Sequence, residues 1–434
     1  MVHTSAGGNL LAMVAVGLAE FRAEDEALPA AVHLTGPGAR EVIDTAVRAA
    51  GGGLHSCRAA NVQYRPGSDL VVRYETQVSW GGRPPARETL LASTSRHGPP
   101  PGTLPVVADA DGRSLEVGVW RWPFDPRLAS LTDMVTADSA AARLADLVEP
   151  PLSLEVVAYR PTERCVIRVT GACGTTIYVK VLDTAAAGAV IERHRRLLAA
   201  GVPVPEIVGS DTDAGWLAMA ELPGDTLRLR LKAQQPGWPK ADEYLALLRR
   251  LQAVELADVA PVTPRTVDAL GHAAMLGVVL PDQRTRLDRL VEALAGAATA
   301  ATGRVGPTVH GDLYEAQVTV DAGRITGLLD IDDAGPGDPL DDVATVLGHL
   351  RYRQQTIIER RHRDAVRRYA DGLRQGFIRG ADLDGELLDA VTAGVLVGLA
   401  TGPFRIQQHD WHHEVRRTLR RAERLLIGTQ ESRR

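Results

Sequence analysis

The chain has 434 residues, 45% of them hydrophobic and 24% charged, with a formal net charge of -5 and a pI near 6.2. That length fits two or three packed units of ~100–200 residues, the composition excludes a disordered chain, and the acidic balance supplies no positive field for a nucleic acid. Cys57, Cys165 and Cys173 are too few and too scattered for a disulfide framework or a zinc site, and fit a reducing compartment.

From the N-terminus, "NLLAMVAVGLA" lacks a Lys or Arg flank and runs directly into "EFRAEDEAL", which argues against a signal peptide. The apolar runs Leu10 to Ala19 and Ala390 to Ala400 fall short of the ~18–20 residues that span a bilayer. The expectation is a cytoplasmic protein without membrane or nucleic-acid partners, as a monomer or homodimer. "DLVVRYETQVSW" alternates apolar and polar residues and is followed by "GG", predicting a hairpin. Pro/Gly-rich breaks follow at Ser95 to Pro105 and Val148 to Ser153. "YRPGSDLVVRY" from Tyr64 and "YRPTERCVIRV" from Tyr159 share Tyr, Arg, Pro, Val and Arg in register: either one strand-turn-strand unit occurs twice, or two β segments converge on the same turn chemistry.

Three β-rich segments within "VVAYRPTERCVIRVTGACGTTIYVKVLD" predict an antiparallel meander from Val156. The helix "AAAGAVIERHRRLLAAG" stops at Gly201, ahead of Pro203 and Pro205. "WLAMAELPGDTL" gives one more strand ending in a turn. Beyond Lys240 the pattern is mostly helical: "ADEYLALLRRLQAVEL", "RTRLDRLVEALAGAATAA", "RRHRDAVRRYADGLRQGF", "LLDAVTAGVLVGLA" and "HHEVRRTLRRAERLL". Lysine occurs only at 180, 232 and 240 while arginine is abundant, so each lysine raises a question.

The exception to the helical pattern is "HGDLYEAQV", His310 to Val318. Asp312, in a turn two residues after His310, can accept a proton from a hydroxyl. Gln317 offers a hard amide oxygen suited to Mg²⁺. The strand-turn-strand "QVTVDAGRITGLLD" returns with Asp330 and Asp332, which alternation places on one strand face beside Asp312 and Gln317. A pocket of hard oxygens around one or two metal ions is what phosphoryl transfer from ATP requires. Asp338, followed by Pro339, Asp341 and Asp342, suits the start of a helix.

"HGDL" followed by "LLDIDDAGPGDPLDDVA" resembles the aminoglycoside phosphotransferase family of small-molecule kinases. The resemblance, over about Val156 to Leu426, implies an α+β, bilobal protein-kinase-like fold: an extra N-terminal α/β cap at 1–135, a β-rich N-lobe at 136–225 and a helical C-lobe at 226–434. It implies Asp312 as catalytic base, His310 as loop organiser, and Gln317 and Asp330 as Mg²⁺ ligands; Asp332 is either a second metal ligand or a solvated hairpin acid. It likewise implies that Lys180 in "YVKVL" holds the α- and β-phosphates of ATP with Glu192 as its ion-pair partner, and that "AMAELPG", with Glu221, is the adenine hinge.

Two features depart from the family pattern. Gln317 replaces the usual Asn, and no G-x-G-x-x-G loop precedes Lys180; the turn Arg160 to Arg164, with Thr162, stands in its place and could cover phosphates. The Gln, the extra cap and the Asp330-Ile331-Asp332 triplet are similar to the capped actinobacterial maltokinases and glucosamine kinases, implying a sugar or amino sugar acceptor, with glucosamine first. An antibiotic-modifying phosphotransferase and a nucleotide-binding pseudokinase are the alternatives. "TGPFRIQQHDWHHE" offers Trp411 for a sugar face and Gln408, Asp410 and Glu414 for hydroxyls and an ammonium; the competing reading is an interhelical turn with Asp410 as cap and Trp411 in the core.

Overall fold

A computed structural model describes residues 25–110, 113–301 and 306–431; the apolar run Leu10 to Ala19 lies outside them. The chain divides into two compact units, the first comprising Met1–Pro126, Ala274–Arg284 and Thr401–Val415, the second Arg127–Ala273, Thr285–Ala400 and Arg416–Arg434.

In the first unit, α1 (Ala31–Thr35) and α2 (Ala39–Ala49) precede five strands, β1 (Gly52–Arg65), β2 (Asp69–Trp80), β3 (Ala86–Ser95), β4 (Leu104–Ala110) and β5 (Arg113–Arg121). They form one antiparallel sheet in the order β1-β2-β3-β5-β4. Helix α2 buries Ile43, Ala46 and Val47, three and four residues apart, as a single apolar face. The expected hairpin is β2-β3, with Val78 opposite Ala86 across the Gly81-Gly82 turn.

The second unit opens with α3 (Leu131–Met134) and α4 (Ala137–Arg143), then β6 (Ser153–Arg160), β7 (Arg164–Thr170) and β8 (Thr176–Leu182), the predicted antiparallel meander. Helix α5 (Thr184–Ala199) starts at Asp183, whose carboxylate caps the Ala185 N–H at 2.9 Å. Gly201, at φ 77°, lies just beyond its end. Strands β9 (Ile207–Asp211) and β10 (Trp216–Ala220) complete a five-stranded sheet ordered β6-β7-β8-β10-β9. This is the strand order of the first unit's sheet. The two echoed sequences are the first hairpin of each: Arg65 pairs with Asp69 in one, Arg160 with Arg164 in the other. Gly67 and Thr162 hold the same left-handed turn position, at φ 70° and 63°.

Next come β11 (Asp225–Thr226), α6 (Leu227–Lys232), α7 (Ala241–Gln252), α8 (Arg265–Val279) and α9 (Arg284–Ala301), then β12 (Thr308–Val309), β13 (Val318–Asp321), β14 (Arg324–Leu328) and β15 (Gly335–Pro336). Strand β13 lies between β11 and β14, and β12 pairs with β15. Helices α10 (Pro339–Thr356), α11 (Arg360–Ala381) and α12 (Gly385–Leu399) follow, then α13 (Gly402–Arg405) and α14 (Trp411–Glu431). The architecture is α+β, antiparallel sheets followed by a helical part.

A core including Leu248, Leu251, Leu313, Val318, Leu328, Leu347 and Phe377 joins α7, α10 and α11 to the β13-β14 hairpin. Close packing of α10 on α12 depends on Gly348, where a Cβ would come within 2.5 Å of Val395. By length and composition Gly385–Arg405 could cross a membrane, a longer apolar stretch than the sequence reading marked, yet 67% of that window is buried inside the protein. Its α12 portion buries Leu388, Val391, Val395 and Leu396 as a core helix would.

Candidate active site

The loop between β12 and β13 alternates inward and outward. His310, Gly311, Leu313, Glu315 and Gln317 are buried, while Asp312, Tyr314 and Ala316 are partly exposed. Leu313, 1% exposed, anchors the loop in the apolar core and leaves Asp312 at its open side. Gly311 takes φ 84°, and a Cβ there would meet the Asp333 carbonyl oxygen at 3.0 Å, so the turn needs glycine.

His310 is fully buried and fastens the loop twice. Its Nδ1 accepts the Asp312 N–H at 3.2 Å, which leaves Nε2 to donate to the Leu329 carbonyl at 2.8 Å. Asp342, on α10, accepts the N–H groups of His310 and Gly311 at 2.8 and 3.0 Å. Burial pushes its carboxyl pKa up, against the opposing pull of His310 and those backbone donors. The sequence had given Asp342 only a part in starting a helix. Asp338 is the residue that caps α10, accepting the Leu340 N–H at 3.0 Å.

Glu315 was not legible as part of the site. It is 2% exposed and is held by Arg353 Nε at 3.0 Å and Arg228 Nε at 3.1 Å, with His349 Nδ1 at 3.8 Å. Burial raises its pKa, and the charges of His349, Arg228 and Arg353 more than reverse that, so the group stays ionised. Tyr314 stacks on His349 with ring centroids 4.1 Å apart, and Arg228 covers the tyrosine from 5.0 Å. This clamp is spread over α6, the loop and α10, and only the fold assembles it.

Asp330 and Asp332 do not share a strand face. Strand β14 ends at Leu328, Asp330 turns left-handed at φ 55°, and Ile331–Asp333 form a 3-10 turn. That turn brings both carboxylates to a single ammonium: Lys180 Nζ lies 3.0 Å from Asp330 Oδ1 and 2.8 and 2.9 Å from the two Asp332 oxygens. Arg164 Nη2 reaches Asp330 Oδ2 at 2.8 Å. Burial opposes the charge on Lys180, but Asp332 and Asp330 outweigh it and raise its pKa. Burial likewise raises Asp330, and Lys180 and Arg164 hold it far below the usual carboxylate range. Gln317 Nε2 donates to Asp330 Oδ2 at 3.3 Å, so its amide and that carboxylate converge.

The expected Lys180–Glu192 pair is corrected. Glu192 is exposed on α5, and the two aspartates of the returning turn occupy the lysine because they reach the same buried point. Arg193 and the buried His194 come next on that helix, and Arg193 lines a cavity of about 380 Å³ with Val262, Arg265, Asp268, Asp332 and Asp333. Arg265 Nη2 lies 3.9 Å from Asp312 Oδ1 and its Nη1 3.0 Å from Asp268. Burial raises the Asp268 pKa, partly countered by Arg265.

Thr162 is half-buried at the tip of the β6-β7 hairpin. Glu221 is exposed immediately after β10 and accepts from Tyr178 Oη at 3.2 Å. Gln408, Asp410, Trp411 and Glu414 fall in the first unit, whereas Asp312, Lys180 and Asp330 fall in the second. Gln408 and Asp410 are exposed and Glu414 is half-buried. Trp411 is 7% exposed and packs edge-on against Phe404, centroids 5.1 Å apart, which corrects its reading as an open platform for a sugar. An indole at the start of α14 covers more apolar area against Phe404 than it would in solvent.

A model of the phosphotransferase enzyme family (APH) matches residues 169–383. Several solved structures are similar in fold. Aminoglycoside phosphotransferase APH(4)-Ia, as a thermostable mutant with ADP and hygromycin B, aligns at 15% identity over 67% of this chain and 98% of its own, with a TM-score of 0.46. Aminoglycoside 2'-phosphotransferase-IIIa with GDP aligns at 16% identity over 68% and 98%, TM-score 0.46, and APH(3'')-Id from Streptomyces rimosus at 18% over 58% and 97%, TM-score 0.39. No curated protein matches the chain significantly.

Proposed function

We propose that this chain, whose residues 169–383 belong to the phosphotransferase enzyme family, moves the γ-phosphoryl group of ATP to a hydroxyl of a small sugar or amino sugar. The observation that carries the reading is the meeting of Lys180 with Asp330, 150 residues apart in sequence, beside the loop that presents Asp312. A lysine, two carboxylates and an amide at one point are the parts that hold a metal-bound triphosphate.

The donor chemistry fits Mg²⁺. Among the described residues no group of three or more His, Cys, Asp or Glu is arranged to hold a metal, and Mg²⁺ in kinase sites takes only one or two carboxylates, the rest being water and phosphate oxygens. Asp330, Asp332 and the Gln317 amide oxygen would hold it, and the ion would neutralise charge on the phosphates. Lys180 and Arg164 supply the protein's own positive charge to the nucleotide, Thr162 and its hairpin tip cover the phosphates, and the backbone after β10 at Glu221 receives the base. Asp312 accepts the proton of the acceptor hydroxyl as its oxygen bonds to the γ-phosphorus and the bond to the β-phosphate oxygen breaks, releasing ADP. Arg265 keeps the Asp312 carboxylate oriented.

The cavity beside Gly311 supports a small acceptor. At about 380 Å³ it stands near the lower end of small-molecule sites, ~300–1,000 Å³, which favours a monosaccharide over a multi-ring antibiotic. Asp268 and Asp333 in its wall suit an ammonium, so glucosamine is the first acceptor to try. Replacing Asp312 with Asn should lower kcat by roughly 100-fold or more while ATP affinity stays within about threefold. Full turnover in that variant would refute the base. ATP consumption across monosaccharides, amino sugars and aminoglycosides separates the sugar-kinase reading from the antibiotic one; ATP binding without turnover on any acceptor would mean a binding module.

A further inference from the structure

On the second unit, α10 and the part of α14 from Arg416 onward enclose a cavity of about 380 Å³ lined by Arg351, Gln355, Arg417, Arg421, Arg424 and Leu425. Arg417, Arg421 and Arg424 stand at i, i+4 and i+7, one face of α14. Arg351 and Gln355 are one turn apart on α10. No carboxylate is among these lining residues; Arg351 Nη1 lies 3.6 Å from Asp371 Oδ1. The helices are tied here by Gln355 Nε2 donating to Thr418 Oγ1 at 2.6 Å and by Arg421 donating to Gln354 Oε1.

An arginine-rich helix face is usually solvated, and Arg417 and Arg424 are exposed here, but two of the charges are drawn inward: the Arg351 side chain is 14% exposed and Arg421 is half-buried. Burial, together with repulsion from Arg351, Arg424 and Arg417, brings the Arg421 pKa down to about 10. Gathering like charges this way costs stability unless an anion offsets it. Polar atoms are also left over: Arg351 Nε and Gln355 Oε1 are buried without a hydrogen-bond partner, although Gln355 is only 6% exposed. Planar guanidinium forks match tetrahedral oxyanions in bidentate fashion.

We propose that this cavity binds a phosphate-type dianion, either free phosphate or the phosphate group of a small monoester. Thermal unfolding of the whole protein tests it, with inorganic phosphate, a hexose 6-phosphate, citrate and sodium chloride as probes at equal ionic strength. Phosphate should raise Tm saturably above the chloride curve, and Arg424→Gln and Arg421→Gln should each weaken the apparent Kd at least tenfold. A larger effect of the hexose phosphate identifies a monoester as the ligand, and an equal effect identifies the free ion. An equal rise with chloride would show screening alone, an equal rise with citrate would mean a surface for carboxylates, and an unchanged response in both variants would place the anion elsewhere. Each of those three results, or no response to phosphate, overturns the proposal. Because Arg424 is exposed, its substitution tests the cavity even if Arg421→Gln fails to fold.

Discussion

Lys180 shows why a rare residue was worth following and where its partner was misassigned. Scarcity of lysine singled it out, and the strand pattern placed it on β8. Its partner was read from the next helix, whereas the site uses a turn 150 residues away, and no local pattern reveals which of several acids reaches a buried ammonium. The consequence is testable. Glu192→Gln should leave kcat and the KM for ATP within about twofold of the parent, while Arg164→Gln, which removes a 2.8 Å ion pair to Asp330, should raise the KM for ATP at least fivefold; steady-state kinetics distinguishes them. A strong loss from Glu192→Gln would mean that α5 supplies charge to the site after all.

At the scale of elements, hydrophobic periodicity located α5, α7, α9, α11 and α12 well, because each buries a stripe at helical spacing. It failed at "LLDID". Alternation there looks like a continuing strand, but two carboxylates on one pleat would be held along a line, and the site needs them around a point. The left-handed Asp330 and the following 3-10 turn break the strand to do this. Helix α10 was legible at its N-cap and not in its role: Asp342 holds two loop amides, and Arg353 and His349 hold Glu315. Asp342→Ala would strand the His310 and Gly311 N–H groups in a buried place, costing about 1–3 kcal/mol. Because the loop presents Asp312, kcat should fall by tenfold or more in the fraction that remains folded, with ATP affinity nearly unchanged. Trp411→Ala in the first unit should instead lower stability by about 3–5 kcal/mol, as loss of a buried indole does, and denaturant unfolding would record it.

Across the whole molecule, the sequence carried the two-fold use of one hairpin in "YRPGSD" and "YRPTER", and the shared strand order of the two sheets extends that echo. The acceptor remained outside its reach, since polar and aromatic residues clustered in one segment do not say which are exposed. Stability against pH is another property of the whole fold, and Asp341 contributes to it. Asp341 is 5% exposed, and burial, aided by Asp338 and Asp342, pushes its pKa up to about 7 despite the N–H of Arg265. An unfolded aspartate titrates near ~3.9. Below that pH both states are protonated and nothing is lost. Between about 4 and about 7 the unfolded chain ionises while the folded one keeps its proton, so the folded state loses ground by up to ~1.4 kcal/mol per pH unit, and above that range the penalty is constant. Asp341→Asn removes the titration and can still accept the Arg265 N–H. Its Tm should therefore match the parent at pH 4 and exceed it by several degrees at pH 8, with the other carboxylates cancelling in the comparison. A difference that shrinks as pH rises would show that Asp341 is ionised and stabilising in the folded protein.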